Sequence, residues 1–157
     1  DKSKKMIELA KKKISKINNK NAKISFETAD LTKNINFKKS NLFYSILFFP
    51  FLSYSQRIKL INKIFYSLDS GGALISVDKI RSSESIFEDI LNQLYFDFKL
   101  RQKLSEEEIL KKAKSLRSSM YLFDEKEIFA ILKNAGFKKY EIFFKCFNFI
   151  GYIAIKN

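Results

Sequence analysis

Histidine is absent from this chain and cysteine occurs once, at Cys146, so any chemistry must come from carboxylates, cations and hydroxyls. A Cys/His zinc centre and a histidine-based triad are excluded, as is general-base catalysis by imidazole. Cys146 stands between Phe144 and Phe147 and reads as a small buried apolar residue, not a nucleophile. Glu106, Glu107 and Glu108 open a helical pattern, where carboxylates favour the helix dipole, so they do not suggest a catalytic pair. Asp30 and Asp78 follow short apolar stretches and stand where strands are expected to end. Either can face a ligand or sit in solvent.

The elements that must position such residues are those of one domain. The chain has 157 residues, 46% of them apolar, enough to bury a single core. Lys and Arg number 30 against 17 Asp and Glu, a net charge of +13. Only 4 Gly and 1 Pro occur, which excludes collagen-like and low-complexity architectures. The longest apolar run, Leu42 to Leu52, is broken by Ser45 and Pro50 and falls short of the roughly 20 residues a bilayer span needs. No signal-peptide pattern is present near the start. A single cysteine fits a reducing, cytoplasmic compartment. Asp1 leads directly into a helical pattern without an initiator methionine, so the chain reads as the remainder of something longer.

Met6, Leu9, Ala10, Ile14 and Ile17 recur at helical spacing over Ser3 to Asn18, and lysines fill the other face. Ala22 to Phe26 is a strand candidate. Asn41 to Phe49 is a near-continuous apolar run, expected to be a strand buried on both faces and stopped by Pro50. Ser55 to Leu68 is a helix ended by Gly71-Gly72, and Ala73 to Val77 is a buried strand. Ser83 to Arg101 is a long helix with Ile86, Phe87, Ile90, Leu91, Leu94, Tyr95 and Phe98 inward. Ser105 and Glu108 form a capping box for a helix reaching about Met120. Asp124 and Glu127 open another, stopped by Gly136. Tyr140 to Phe147 and Phe149 to Ile155 form an antiparallel hairpin.

Helix, Gly71-Gly72-Ala73-Leu74-Ile75, then helix, Asn134-Ala135-Gly136-Phe137, then a terminal hairpin resembles the C-terminal part of a class I S-adenosylmethionine-dependent methyltransferase fold. The expected class is therefore α/β, a Rossmann-like fold lacking its first strands. It is expected as one domain over residues 1–157, incomplete at its N-terminus, with a helical insertion at about 83–120. Missing strands would leave two open sheet edges, so the chain is expected to be part of a longer protein or marginally stable alone.

A narrower likeness runs through Asp1-Lys2-Ser3-Lys4-Lys5-Met6-Ile7, Asp97-Phe98-Lys99 and Phe144-Lys145-Cys146-Phe147-Asn148-Phe149. These blocks resemble the carboxy-S-adenosyl-L-methionine synthases, across about the last two-thirds of such an enzyme. The resemblance implies S-adenosyl-L-methionine as cofactor and prephenate as the carboxyl source. It further implies a product used in tRNA wobble-uridine modification, and a homodimer in contact through the helices of Ser83–Met120. By the same resemblance Asp1 takes the ribose hydroxyls, as an acid beside a vicinal diol can. Lys2 contacts the same nucleoside, Asp30 takes the adenine amino group, and the Leu31 N–H faces the ring. Catalysis would rest on orientation and electrostatics.

Two positions depart from that pattern. Ile46 stands where the family carries an Asn that holds the ligand, and an aliphatic side chain cannot donate. Ala113 stands where a neighbouring protomer's Arg forks onto the product carboxylate, a pairing that needs a guanidinium. Lys112, Lys114 and Arg117 lie near it on the same expected helix. The family's glycine-rich turn is also missing. Two other readings follow: a catalytically inactive homologue acting as partner or scaffold, and a basic RNA-binding module using the charge and Tyr44, Phe48, Phe49 and Phe51.

Overall fold

The computed structural model describes residues 1–16, 23–33 and 35–157. They fall into two compact units, Asp1–Asn36 and Phe37–Asn157.

The first unit carries α1, Lys4–Ile14, with the Ser3 hydroxyl accepting from the Met6 N–H at 3.3 Å. Lys11, Lys12 and Lys13 fill its last turn, where cations suit the dipole. The end expected at Asn18 and the apolar Ile17 lie outside the described residues, as does Ala22. Lys23 to Phe26 form no strand. The extended stretch beyond them instead runs beside Asp1, whose carbonyl accepts from the Ala29 N–H at 3.0 Å.

The second unit is a four-stranded mixed sheet in the order β1-β2-β4-β3, with β1 at Ser40–Ile46, β2 at Leu68–Lys79, β3 at Lys139–Cys146 and β4 at Phe149–Ile155. β1 and β2 are parallel, while β2–β4 and β3–β4 are antiparallel. Helices α2 (Tyr54–Ser67), α3 (Ser85–Arg101), α4 (Glu106–Leu116) and α5 (Glu125–Ala135) connect them. On the inner face Leu74, Ser76 and Asp78 stand opposite Ala154, Tyr152 and Ile150, all fully buried. Leu60, Ile61 and Ile64 of α2 join that core, with Ile128, Ile131 and Leu132 of α5.

Several expectations hold. Ser105 with Glu108 and Asp124 with Glu127 both form reciprocal capping boxes. Gly136 ends α5 in the left-handed region at φ 111°, with the Phe65 ring against the place a Cβ would take. The terminal hairpin is antiparallel, turning through Phe147 and Asn148.

Others are corrected. β1 is mostly exposed and only Ser45 is buried, because among the described residues it is the edge of the sheet and is not covered as an inner strand would be. Phe49 leaves the strand for a 3-10 turn, Phe49–Phe51, around Pro50. Gly71-Gly72 does not end α2; the helix stops at extended Leu68, and β2 is already under way. Gly71, at φ 77°, absorbs an irregularity that shifts the β1 register between Ser40 and Leu42. The α2 carbonyl end is capped by Lys156, whose Nζ donates to Phe65 O at 2.8 Å and Leu68 O at 2.6 Å. Helix α3 has no buried residue at all, so its apolar stripe is not inward. Cys146 is exposed, being on the open side of edge strand β3.

Candidate functional site

The residues expected to read a nucleoside come together in the first unit. Asp1 Oδ1 accepts from the Ser3 N–H at 2.7 Å, which leaves Oδ2 for another donor. One chain segment away, Asp30 Oδ1 accepts from both the Thr32 N–H at 3.0 Å and the Thr32 hydroxyl at 2.7 Å. Those bonds hold the Asp30 carboxyl below its usual range, with Lys2 and Lys33 adding to the effect. An ionised carboxylate with one oxygen spoken for is a fixed acceptor. Leu31 lies in the turn that Lys33 closes by donating to Asp30 O at 3.0 Å. The Ala29–Asp1 bond sets these two acids on adjacent segments, so Asp1, Lys2, Asp30 and Leu31 are neighbours.

In the second unit the carboxyl ends of parallel strands are where an open α/β sheet takes ligands. Ile46 closes β1, paired with Val77 and 59% exposed. It offers apolar surface and no donor. Leu47 follows in the left-handed region at φ 53°, an uncommon conformation for a leucine, with its N–H donating to Val77 O at 2.7 Å. Ala113 is on the exposed surface of α4, on a different element from Ile46.

Asp78, at the carboxyl end of β2, is fully buried and not solvated. Its Oδ2 accepts from the Tyr152 hydroxyl at 3.0 Å and its Oδ1 from the Ser76 hydroxyl at 3.2 Å. Ser76 Oγ also lies 3.0 Å from Ser45 O, tying β2 to β1 just before Ile46. Burial pushes the Asp78 carboxyl up to about 6, although Arg57, Tyr152 and Ser76 pull the other way. The Tyr152 hydroxyl is pushed well up by burial and by Asp78. Arg57 is 1% exposed; it donates through Nη2 to Tyr121 O at 3.4 Å and lies 4.4 Å from the Phe123 ring centre.

A cavity of about 440 Å³ lies beyond β2, with Ile80, Phe87, Ile90 and Phe147 as its apolar wall and Arg81, Lys126 and Lys145 at its polar side. Its cations are largely matched: Arg81 pairs with Glu127 at 2.8 Å and Asp124 at 3.4 Å, and Lys145 with Glu125. The hairpin turn is fixed there by Asn148, whose Nδ2 donates to Glu88 Oε1 at 3.2 Å and Asn92 Oδ1 at 3.1 Å. Tyr95 and Phe98, expected in the core, are half-exposed to exposed and stack around Phe147.

Sequence reasoning missed Arg57, Tyr152, Ser76 and Asn148. Arg57 was findable: it shares the i, i+3, i+4, i+7 stripe with Leu60, Ile61 and Ile64, where a cation is out of place. Among the described residues no cluster of acids, His or Cys could hold a metal. No helix among them is long and apolar enough to cross a membrane.

A parallel pair flanked by a terminal antiparallel hairpin, with helices between, is the arrangement of class I S-adenosylmethionine-dependent methyltransferases. A solved magnesium protoporphyrin IX methyltransferase from Synechocystis shares it at a TM-score of 0.61, with 15% identity, over 100% of this chain and 57% of that one. Sequence similarity narrows the class. A carboxy-S-adenosyl-L-methionine synthase from Staphylococcus epidermidis is 38% identical over 122 residues, 76% of this chain and 54% of the relative. One from Campylobacter jejuni is 34% identical over 157 residues, 100% of this chain and 65% of the relative. No family model matches. Over the stretch it spans, the chain is a homologue of the carboxy-S-adenosyl-L-methionine synthases, and that stretch is about half to two thirds of their length.

Proposed function

We propose that this chain is the greater part of a carboxy-S-adenosyl-L-methionine synthase, a cytoplasmic transferase that takes a carboxyl group from prephenate for tRNA wobble-uridine modification. The observation that carries the reading is the pair of acids in the first unit. Asp1 and Asp30 stand on adjacent segments, each with one carboxylate oxygen fixed by a local N–H. That donor-poor, acceptor-rich arrangement fits a nucleoside, whose ribose hydroxyls and adenine amino group are donors.

In this reading S-adenosyl-L-methionine, when bound, supplies an activated sulfonium methyl group. Asp1 accepts from the ribose hydroxyls, with Lys2 beside it. Asp30 stays ionised through its Thr32 bonds and accepts from the adenine amino group, while Leu31 offers its N–H to the ring. The chain contributes position and electrostatics, with no imidazole in the mechanism. Helices α3 and α4 supply the homodimer contact, since Ile86, Phe87, Ile90 and Leu94 are exposed along α3.

The second reading, an inactive homologue, is favoured by Ile46 and Ala113. Incubation of the purified protein with S-adenosyl-L-methionine and prephenate, followed by mass spectrometry of the small molecules, separates the two. A product heavier by one carboxyl group supports the synthase. Retention of S-adenosyl-L-methionine without turnover supports the inactive homologue, and no uptake overturns both uses of Asp1 and Asp30. Asp30→Ala is expected to weaken uptake at least tenfold, about 1.4 kcal/mol or more, as loss of a charged acceptor does.

A further inference from the structure

We infer that Arg57 is a positioning residue that clamps the segment between α4 and α5 onto the carboxyl end of the sheet. The inference rests on the proposed synthase reading, in which α4 carries the position, Ala113, that reaches the carboxylate end of a neighbouring protomer's site.

Residues 121–124 are held by groups that all come from that end of the sheet. The Tyr121 N–H donates to Pro50 O at 2.7 Å, just beyond β1. Arg57 Nη2 donates to Tyr121 O at 3.4 Å. The Phe123 ring lies against the guanidinium at 4.4 Å, with Phe49 at 5.9 Å on the same cation. Phe123 O accepts from the Arg81 N–H at 3.2 Å, just beyond β2, and Arg81 pairs with Asp124 at 3.4 Å. Arg57 therefore touches this segment through both a directional bond and a stacked face.

Its burial argues for position over stability. Nε and Nη1 have no protein partner although the side chain is 1% exposed. No ion pair with Asp78 lies within bonding reach; Asp78 acts on the guanidinium only through space, with Tyr152 and Glu127 adding to it. A buried cation so incompletely matched contributes less than an apolar side chain of the same length would. Methionine would fill the volume, but it can neither donate to Tyr121 O nor stack as a planar cation. What arginine adds to the Pro50 and Arg81 bonds is a donor on Tyr121 O and a planar face on Phe123, and through them a hold on the residues that follow α4.

Hydrogen exchange on the full chain tests this without substrate. In Arg57→Met the Tyr121 and Arg81 amides are expected to lose about tenfold or more in protection while the Tyr152 amide in β4 is unchanged. Arg57→Lys, which retains a donor, is expected to fall between. Should Arg57→Met not fold, Phe123→Leu takes its place, with a loss of several-fold at the same two amides. Unchanged protection at Tyr121 and Arg81 in a folded variant overturns the clamp. Kinetics supply the second arm: KM for prephenate is expected to rise about tenfold in Arg57→Met, with affinity for S-adenosyl-L-methionine within about twofold. An equal loss for both ligands overturns the positioning role. Loosened amides in a protein whose unaltered form makes no product uphold the clamp and sink the synthase reading instead.

Discussion

Leu74, Ser76 and Asp78 of β2 face Ala154, Tyr152 and Ile150 of β4, and none of the six is reached by solvent. Along α3 the apolar density is similar, yet nothing is buried: Ile86 is 64% exposed, Phe87 57% and Ile90 46%. Both regions are rich in isoleucine, leucine and phenylalanine, and both carry the periodicity of their element. They differ in what lies opposite. β2 has strands on both sides and α2 packed against it with α5 behind α2, whereas α3 meets mainly the hairpin turn, α4 and the cavity wall. Apolar periodicity therefore reports that an element exists and which face would be buried. It does not report whether a covering surface is present in the same chain.

That difference has an energetic size. Leu74→Ala, at a site with no exposure, is expected to cost about 3–4 kcal/mol, because the cavity cannot collapse between two paired strands. Leu94→Ala, 42% exposed on α3, is expected to stay within about 0.5 kcal/mol in the monomer. Urea titration followed by far-ultraviolet circular dichroism measures both. Equal costs would break the distinction and show that α3 is covered in solution.

The next effect sharpens it through pH. Asp78 ordinarily titrates near 3.8 and is pushed up to about 6 by burial in the β2–β4 core. Between those values the folded chain holds a proton that the unfolded chain has already released. The Asp78 contribution is therefore fully present below about pH 4 and is lost as pH rises through 6. Two units correspond to about 3 kcal/mol across that window. Parallel titrations of the unaltered chain and Asp78→Asn at pH 4 and pH 7 isolate it. The unaltered chain is expected to lose about 3 kcal/mol more than the variant over the interval, and parallel pH profiles would place Asp78 in contact with water. On α3, by contrast, Glu88 accepts from the Ser82 N–H, Asn92 Nδ2 and Asn148 Nδ2.

Legibility in the sequence follows the same division. Ser105, Asp124 and Gly136 were readable because a cap is a local affair of three or four residues, decided by side-chain chemistry and φ. The hairpin was readable because a turn as short as Phe147-Asn148 permits only an antiparallel return. Gly71 misled because a glycine after a helix and a glycine inside a bulged strand look alike, and only the pairing with β1 decides between them. Of the candidate site, Asp1 and Asp30 were named through the family likeness, and their neighbourhood depends on two long-range bonds, Ala29 N–H to Asp1 O and the Asp1 amino group to Glu27 O. Arg57 was signalled only by its place on the apolar stripe of α2, and Tyr152 by nothing, since their polar partners lie 64 and 74 residues away in the chain.

The smallest effect separates two copies of one local motif. Ser105 and Asp124 make the same reciprocal box, the first at an exposed helix start and the second beside Arg81 and the cavity. If a cap's contribution were purely local, Ser105→Ala and Asp124→Ala would cost the same, about 1 kcal/mol. Asp124 also pairs with Arg81 at 3.4 Å with its side chain 18% exposed, and its helix lines the core through Ile128, Ile131 and Leu132. Its loss leaves the Arg81 guanidinium to Glu127 alone and frays a helix that the sheet depends on. Asp124→Ala is therefore expected to cost about 2 kcal/mol and Ser105→Ala about 0.5–1, both read by urea titration. Fraying at α4, which shares only its Ile109 with the core, should remain local; an equal loss from both would mean that α4 is as tightly held as α5.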